Sequence, residues 1–148
     1  MLIIFFSAQY FLKNSCYSCY IMQLSIIIPC FNEVHTIEKV IQRVTKYASD
    51  AEIIIIDDYS TDGTKSWLQD HKSTYNYTLL LQEKNLGKGA CLRLGFKHAT
   101  KDIVIIQDAD LEYDPADYSK LIQPILDGKA DCVYGSRFKG DQAQRALY

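Results

Sequence analysis

No run of Lys and Arg marks this chain, and that absence removes a large function class at once. Its 16 basic and 18 acidic residues are interspersed and leave a net charge of −2, whereas a nucleic-acid binder shows a basic face. No apolar run is long enough for a spanning helix, which needs roughly 18 or more apolar residues in a row. The most apolar stretch, residues 1–22, is broken by Ser7, Gln9, Lys13, Asn14 and Ser15. It also lacks the basic start of a secretory signal, because its one cation, Lys13, follows the apolar part. We read 1–22 as an apolar N-terminal extension of a folded unit spanning 23–148. Peripheral association with a membrane is the sharper alternative for it.

A disulfide framework is missing too. The five cysteines are Cys16, Cys19, Cys30, Cys91 and Cys132, an odd number, and three of them lie in apolar or small-residue stretches. A reducing, cytoplasmic setting fits that usage better than a secreted one. Cys16 and Cys19 form a lone C-x-x-C without the second Cys/His pair that structural zinc needs, since His35, His71 and His98 are scattered. No Ser/His/Asp or Cys/His set is visible. There is no P-loop, and Asn85-Leu86-Gly87-Lys88-Gly89-Ala90 is not a dinucleotide fingerprint, because Leu92 stands where its third glycine should be.

What is present, from Leu24 onward, is alternation. Short apolar runs occur at Ser25-Ile26-Ile27-Ile28, Ile53-Ile54-Ile55-Ile56, Leu79-Leu80-Leu81 and Ile103-Val104-Ile105-Ile106, with a last one near Asp131-Cys132-Val133-Tyr134. They are mostly β-branched and continuous rather than alternating, the pattern of parallel strands buried on both faces. Between them lie helical patterns. Ile37, Val40, Ile41 and Val44 predict a helix over 36–48, with weaker signals over 62–72 and 88–99. Asp114 is a good N-cap and Pro115 suits the first helical position, while Pro124 should kink or shorten that helix. The order predicts an α/β fold with a mostly parallel sheet and helices on both faces. Ligands of such sheets bind at the carboxyl ends of the strands.

Those ends carry polar clusters: Pro29-Cys30-Phe31-Asn32-Glu33, Asp57-Asp58-Tyr59-Ser60-Thr61-Asp62-Gly63-Thr64, Asp108-Ala109-Asp110-Leu111-Glu112 and Gly135-Ser136-Arg137-Phe138. Any one could be a capped helix start, but capping does not explain carboxylates at three strand ends together. If 108–112 is extended, Asp108, Asp110 and Glu112 point the same way and repel unless a cation sits among them. Mg²⁺ or Mn²⁺ prefers oxygen ligands and often completes its shell with substrate phosphates. Lys88 could pair with a phosphate at the Gly-flanked turn, and Arg137 could clamp a diphosphate through its forked donors.

Five segments in order, SIIIPCFNE, IIIIDDYSTDGT, NLGKGACLRLGF, IVIIQDADLEYDP and DCVYGSRF, resemble family 2 glycosyltransferases. The likeness runs from about Gln23 to Phe138 and is strongest to the dolichol-phosphate mannosyltransferase and polyprenyl-phosphate glucosyltransferase group. It implies a Rossmann-like GT-A nucleotide-diphospho-sugar transferase fold. It implies that Pro29, Phe31 and Glu33 line the nucleotide pocket and that Asp58, with Asp57, contacts base or ribose. Asp108 and Ala109 would sit against the nucleotide sugar, such as GDP-mannose or UDP-glucose. Asp110 and Glu112 would hold Mg²⁺ or Mn²⁺ on the diphosphate, and Arg137 would help clamp it, so Asp110 and Arg137 carry the catalytic expectation. The implied reaction passes a hexose, with inversion, to a polyprenyl or dolichyl phosphate at the cytoplasmic face of a membrane. A phosphate acceptor is already anionic and needs less help from a base than a hydroxyl does.

Two departures from the pattern stand out. Tyr59 occupies a position where the family usually has Gly, and a positive φ there would strain it. The chain ends at Tyr148, where the resemblance implies that an acceptor-side half should follow, so only the N-terminal half of the fold is expected. A remnant without catalysis that at most binds the nucleotide sugar is therefore an alternative. A sugar nucleotidyltransferase is a weaker one, because PCFNE replaces the Gly-rich, basic loop those enzymes carry after their first strand.

Overall fold

The sheet is built largely from isoleucine. In the computed structural model, which describes residues 23–135 and the backbone of Ile3–Phe6, the strands are β1 (Ile3–Phe6), β2 (Leu24–Cys30), β3 (Glu52–Asp57), β4 (Thr78–Leu81), β5 (Ile103–Ile106) and β6 (Cys132–Tyr134). The helices are α1 (Ile37–Tyr47), α2 (Thr64–Tyr75), α3 (Lys88–His98) and α4 (Tyr118–Leu126), the last preceded by a 3-10 turn at Pro115–Asp117.

The strand order is β4-β3-β2-β5-β1-β6. Strand β2 pairs in parallel with β3 on one side and β5 on the other, and β4 pairs in parallel with β3. The chain thus builds outward from β2 to β4, then returns to lay β5 on the opposite flank of β2. That reversal is a topological switch point, where the loops after β2 and β5 diverge and open a crevice.

Alternate residues of the central strands serve opposite layers, as the continuous apolar runs require. Ile26, Ile28, Ile53, Ile55, Ile103 and Ile105 pack with Ile37, Val40, Ile41 and Val44 of α1, Leu68 of α2, and Tyr118 and Ile125 of α4. Ile27, Ile54, Ile56 and Val104 pack with Cys91 of α3. Each fully buried isoleucine contributes about 1.5–3 kcal/mol over leaving it exposed. On the α3 side the contact is closest at Gly95, where an added Cβ would lie 2.6 Å from Ile27 Cγ2. Glycine is there for the approach of helix to strand.

Helix boundaries follow the expected patterns with small shifts. Asp114 caps the 3-10 turn by accepting from Ala116 N at 3.0 Å, Pro115 is its first residue, and Arg43 of α1 ties to Asp114 at 2.6 Å. Pro124 lies inside the nine-residue α4, two positions from its end. The expectation that 1–22 stands outside the folded unit meets one difference. Ile3–Phe6 forms β1, antiparallel to both β5 and β6 and lying between them. A four-residue apolar run can donate its backbone ladder to an open sheet edge as readily as any other strand. The remainder of 1–22, with Cys16 and Cys19, lies outside the described residues.

At the end of the sheet away from the crevice, Glu52 is a hub. It accepts from Ser25 Oγ at 2.5 Å and from Thr100 N and Oγ1 at 2.9 and 3.0 Å. Burial alone would raise its carboxyl pKa, but these hydrogen bonds outweigh burial and hold it below the ordinary 4.5. A carboxyl pKa lowered on folding stabilises above its unfolded value and ceases to do so as pH falls through the folded one. Glu52→Gln should therefore cost stability at pH 7 and markedly less near pH 3, read as urea midpoints at the two values. Gly95→Ala should destabilise by about 1–3 kcal/mol through overpacking, against the gain of roughly 1 kcal/mol that Ala brings to an unconstrained helix; thermal unfolding gives the sign.

Candidate functional site

Three strand ends meet at the switch point, and their loops are locked to one another. After β2, Asn32 N donates to Ser60 Oγ at 2.9 Å, and Asn32 Oδ1 accepts from Thr61 N at 2.8 Å. Glu33 N donates to Thr64 Oγ1 at 2.9 Å and Val34 N to Asp62 Oδ2 at 3.2 Å. The Ser60–Thr64 stretch, expected only as part of a polar cluster, is thus spent on fastening the β2–α1 loop to the β3–α2 loop. Asp57 is fully buried; its Oδ2 accepts from Ser60 N at 3.1 Å, and its Oδ1 has no hydrogen-bond partner among the described residues.

Asp58 joins the third wall. It is 3% exposed. Its Oδ1 accepts from Gln82 Nε2 at 2.9 Å and Leu86 N at 2.8 Å, and its Oδ2 from Gly87 N at 2.8 Å. Gly87 has φ 82° and is the N-cap of α3, so a carboxylate from β3 fixes where that helix begins. Lys88, the next residue, reaches Asp108 Oδ1 at 2.5 Å.

After β5 a buried amide organises the loop. Gln107 is fully buried; its Nε2 donates to the carbonyls of Asp108 and Tyr113 at 3.0 and 3.2 Å, and its Oε1 accepts from Tyr118 Oη at 2.7 Å. Burial, and secondarily Asp114, pushes the Tyr118 phenol up, keeping it a neutral donor. Gln107 and Gln82 were missed in the sequence because a lone Gln after a strand carries no pattern.

These walls enclose a cleft of about 200 Å³ lined by Pro29, Cys30, Phe31, Glu33, Asp58, Lys88, Cys91, Asp108, Ala109 and Asp110. Eight of the expected site residues share it; Cys30 and Cys91 are additions. Burial, and then the neighbouring carboxylates led by Asp57, pushes the Cys30 thiol up, so it stays protonated. Burial is also the largest cause of the raised Cys91 thiol.

Glu112 is not among the lining residues, and the extended geometry expected for 108–112 does not hold. Strand β5 ends at Ile106, and Leu111 at φ 65° turns the chain back, so Asp108, Asp110 and Glu112 do not alternate on one face. Instead Glu112 N donates to Asp110 Oδ1 at 3.0 Å. Among the described residues no three His, Cys, Asp or Glu side chains form a ready-made metal cage. The lining carboxylates still suit a hard cation that takes one or two protein oxygens and draws the rest from phosphate and water. Arg137 lies outside the described residues.

Backbone strain gathers here. Of the four described non-glycine residues with positive φ, Asn32, Tyr59 and Leu111 follow β2, β3 and β5. Tyr59, at φ 66° and 48% exposed, meets the positive φ that would strain a residue other than glycine.

A mostly parallel sheet with helices on both faces and a polar crevice at its switch point defines the Rossmann-like class of α/β domain. Over residues 25–147 the chain matches the model for Glycosyl transferase family 2, and it belongs to that family. It is 33% identical over 126 residues to a dolichol-phosphate mannosyltransferase of Pyrococcus furiosus, covering 83% of this chain and 36% of that protein. It is 32% identical over 111 residues to an undecaprenyl-phosphate 4-deoxy-4-formamido-L-arabinose transferase of Aeromonas hydrophila, covering 71% and 34%. A solved mannosyltransferase of Pyrobaculum calidifontis, in complex with GDP-Man and Mn²⁺, matches at TM-score 0.59 and 28% identity over 74% of this chain and 34% of that one. A glucosyl-3-phosphoglycerate synthase of Mycobacterium tuberculosis matches at TM-score 0.59 and 28% identity over 73% and 42%. The chain spans about a third of the length of the two curated relatives. The GT-A fold expected from the motifs is the fold observed.

Tyr59→Gly should stabilise the chain by about 1 kcal/mol, the scale of relieving a left-handed side chain, less the unfolded-state entropy that glycine adds. A urea midpoint that falls in the variant would show that the tyrosine ring contributes more than its backbone costs.

Proposed function

We propose that the cleft binds the donor of a glycosyl transfer, a nucleotide-diphosphate sugar, together with Mg²⁺ or Mn²⁺. The observation that carries this is the convergence of Asp108, Asp110 and Lys88 on one cleft at the switch point. A nucleotide diphosphate needs a cation-binding carboxylate and a basic group within one cavity, and both are there. In this reading Pro29, Phe31 and Glu33 serve the nucleoside end, with the half-exposed Phe31 offering a face for the base. Asp108 and Ala109 lie against the sugar diphosphate, Asp110 supplies the metal ligand, and Glu112 acts through the N–H that orients Asp110. Asp57 and Arg137 are the remaining proposed contacts, to the ribose or base and to the diphosphate.

The chemistry suits such a site. Glycosyl transfer places positive charge on the sugar and negative charge on the departing diphosphate. The cation, when bound, neutralises that developing charge. Lys88, at the N-terminus of α3, presents its ammonium where an anion is favoured by the helix end as well. The likeness to mannosyltransferases supports a hexose as the group moved, and the two curated relatives support a polyprenyl or dolichyl phosphate as acceptor; inversion is the stereochemical course we propose. That acceptor would place the chain against the cytoplasmic face of a membrane, and the free Cys30, Cys91 and Cys132 are in keeping with such a setting. Among the described residues no helix is long and apolar enough to cross a membrane.

Calorimetric titration with GDP-mannose and UDP-glucose, with and without Mn²⁺, tests the reading. Metal-dependent binding of at least one is expected. Asp110→Asn should weaken the metal-dependent component roughly tenfold or more, the scale of losing one charged partner. Binding indifferent to metal, or none of either sugar nucleotide, would overturn the proposal.

A further inference from the structure

We infer that Gln107, oriented by Tyr118, is a positioning residue for the cation: it sets the turn over 108–113 so that Asp110 meets a small divalent ion at a fixed point. This rests on the donor reading of the cleft and gives that site a source of ion selectivity. Gln107 stands where the apolar run of β5 stops. Its backbone N–H donates to Ile27 O of β2 at 2.9 Å, so its root is fixed to the central strand. Its side chain is fully buried. For packing alone, an apolar side chain of that volume would serve as well, because a buried polar group must first recover its desolvation cost. The amide differs from such a side chain in what it holds.

A single nitrogen, Nε2, donates to the carbonyls of Asp108 at 3.0 Å and Tyr113 at 3.2 Å. Backbone oxygens from the two ends of the turn are thus drawn to one point, and the chain between them has to loop back. It does so at Leu111, at φ 65°. Within the loop, Glu112 N donates to Asp110 Oδ1 at 3.0 Å. That bond aims the carboxylate, and Oδ2 is the oxygen offered to a cation.

The orientation of the amide follows from its neighbours. Two carbonyls on one side admit only the NH2 group there. Oε1 then faces Tyr118 Oη, which donates to it at 2.7 Å. Tyr118 is 3% exposed, opens α4 and packs in the main core. The series Tyr118, Gln107, turn, Asp110 therefore runs from the core to the cleft wall. Asp110 itself is exposed, but the backbone that carries it is held from behind. Mg²⁺ demands near-octahedral geometry at short distances, whereas Ca²⁺ accepts longer and less regular ones. A carboxylate on a held turn favours the first kind of ion, and one on a loose turn gives up that preference.

Tyr118→Phe keeps the ring and removes the hydroxyl that orients the amide. Gln107→Met keeps the approximate length and removes the amide itself. The wild-type 148-residue chain, both variants, the double variant and Glu52→Gln are titrated with Mn²⁺, Mg²⁺ and Ca²⁺ in the presence of GDP and, separately, UDP. Each nucleotide is also titrated without metal, and thermal midpoints are recorded. Glu52→Gln serves as the comparison, because its loss lies at the opposite end of the sheet. Each of the two variants should raise the half-saturating concentration of Mg²⁺ and Mn²⁺ by roughly tenfold, the scale of losing a partner behind a metal ligand. The rise for Ca²⁺ should be roughly threefold or less, and metal-free nucleotide binding should not change. The double variant should be no worse than Gln107→Met, since Tyr118 acts through the amide. Glu52→Gln should lower the thermal midpoint and leave the ion titrations as they are.

An unchanged half-saturation in both variants would overturn the inference, as would equal losses for Mg²⁺ and Ca²⁺ or a matching shift in Glu52→Gln. A wild type that prefers Mg²⁺ over Ca²⁺ no more than the free nucleotide does would overturn it without recourse to any variant. If the wild type bound neither nucleotide in a metal-dependent way, the donor reading would fall and the role of Gln107 with it. Metal-dependent binding that is indifferent to both variants would leave the donor reading standing and remove this inference alone.

Discussion

Burial of β2 on both edges and both faces is the constraint on which the rest depends. Its two edges are filled by the parallel ladders to β3 and β5, and its two faces by α1 on one side and α3 on the other. With no edge or face left, every polar residue that follows Ile28 must emerge at the carboxyl end. The same holds for β3 and β5, whose buried residues run unbroken into Asp57 and Gln107. A cleft at that end is a consequence of running out of room inside.

Collecting carboxylates there is costly unless each finds partners. Two solutions appear. Asp58 is desolvated and answered by backbone and amide N–H groups, a fixed solution. Asp108 is answered by the half-exposed head of a lysine, an exchangeable one. A scaffold needs the first kind and a ligand site the second, and here both meet consecutive residues, Gly87 and Lys88, at one helix terminus. Asp110, at the exposed end of the turn, is left the most open to solvent of the acidic residues lining the cleft.

The fold was largely legible in the sequence because β-branched runs without alternation admit few architectures. Helix α1 was clear from Ile37, Val40, Ile41 and Val44, all four buried. Helix α2 was harder, since only Thr64 and Leu68 are buried along it and its pattern is correspondingly thin. The placement of Ile3–Phe6 in the sheet was not legible, because four apolar residues in an interrupted stretch look the same in a strand and in a tail. At the site, the lining residues of three strand ends followed from topology. The disposition of Asp108, Asp110 and Glu112 did not, because a periodicity of two presumes extended backbone and Leu111 adopts a positive φ. Nor did the loop-holding work of Ser60, Asp62 and Thr64, whose partners lie about 30 positions away in the chain.

Gly95 connects the underside of the sheet to the chemistry at its rim. It sits seven positions, two helical turns, beyond Lys88 along α3, a span of about 10 Å. Because Gly95 rests directly on Ile27, α3 behaves as a strut with one foot on the sheet and its tip at the cleft. Its tilt sets the height of the lysine. Relatives that carried a larger residue at the foot would have a different reach at the tip, so the spacing between the two cleft walls can be tuned from a place that no ligand touches.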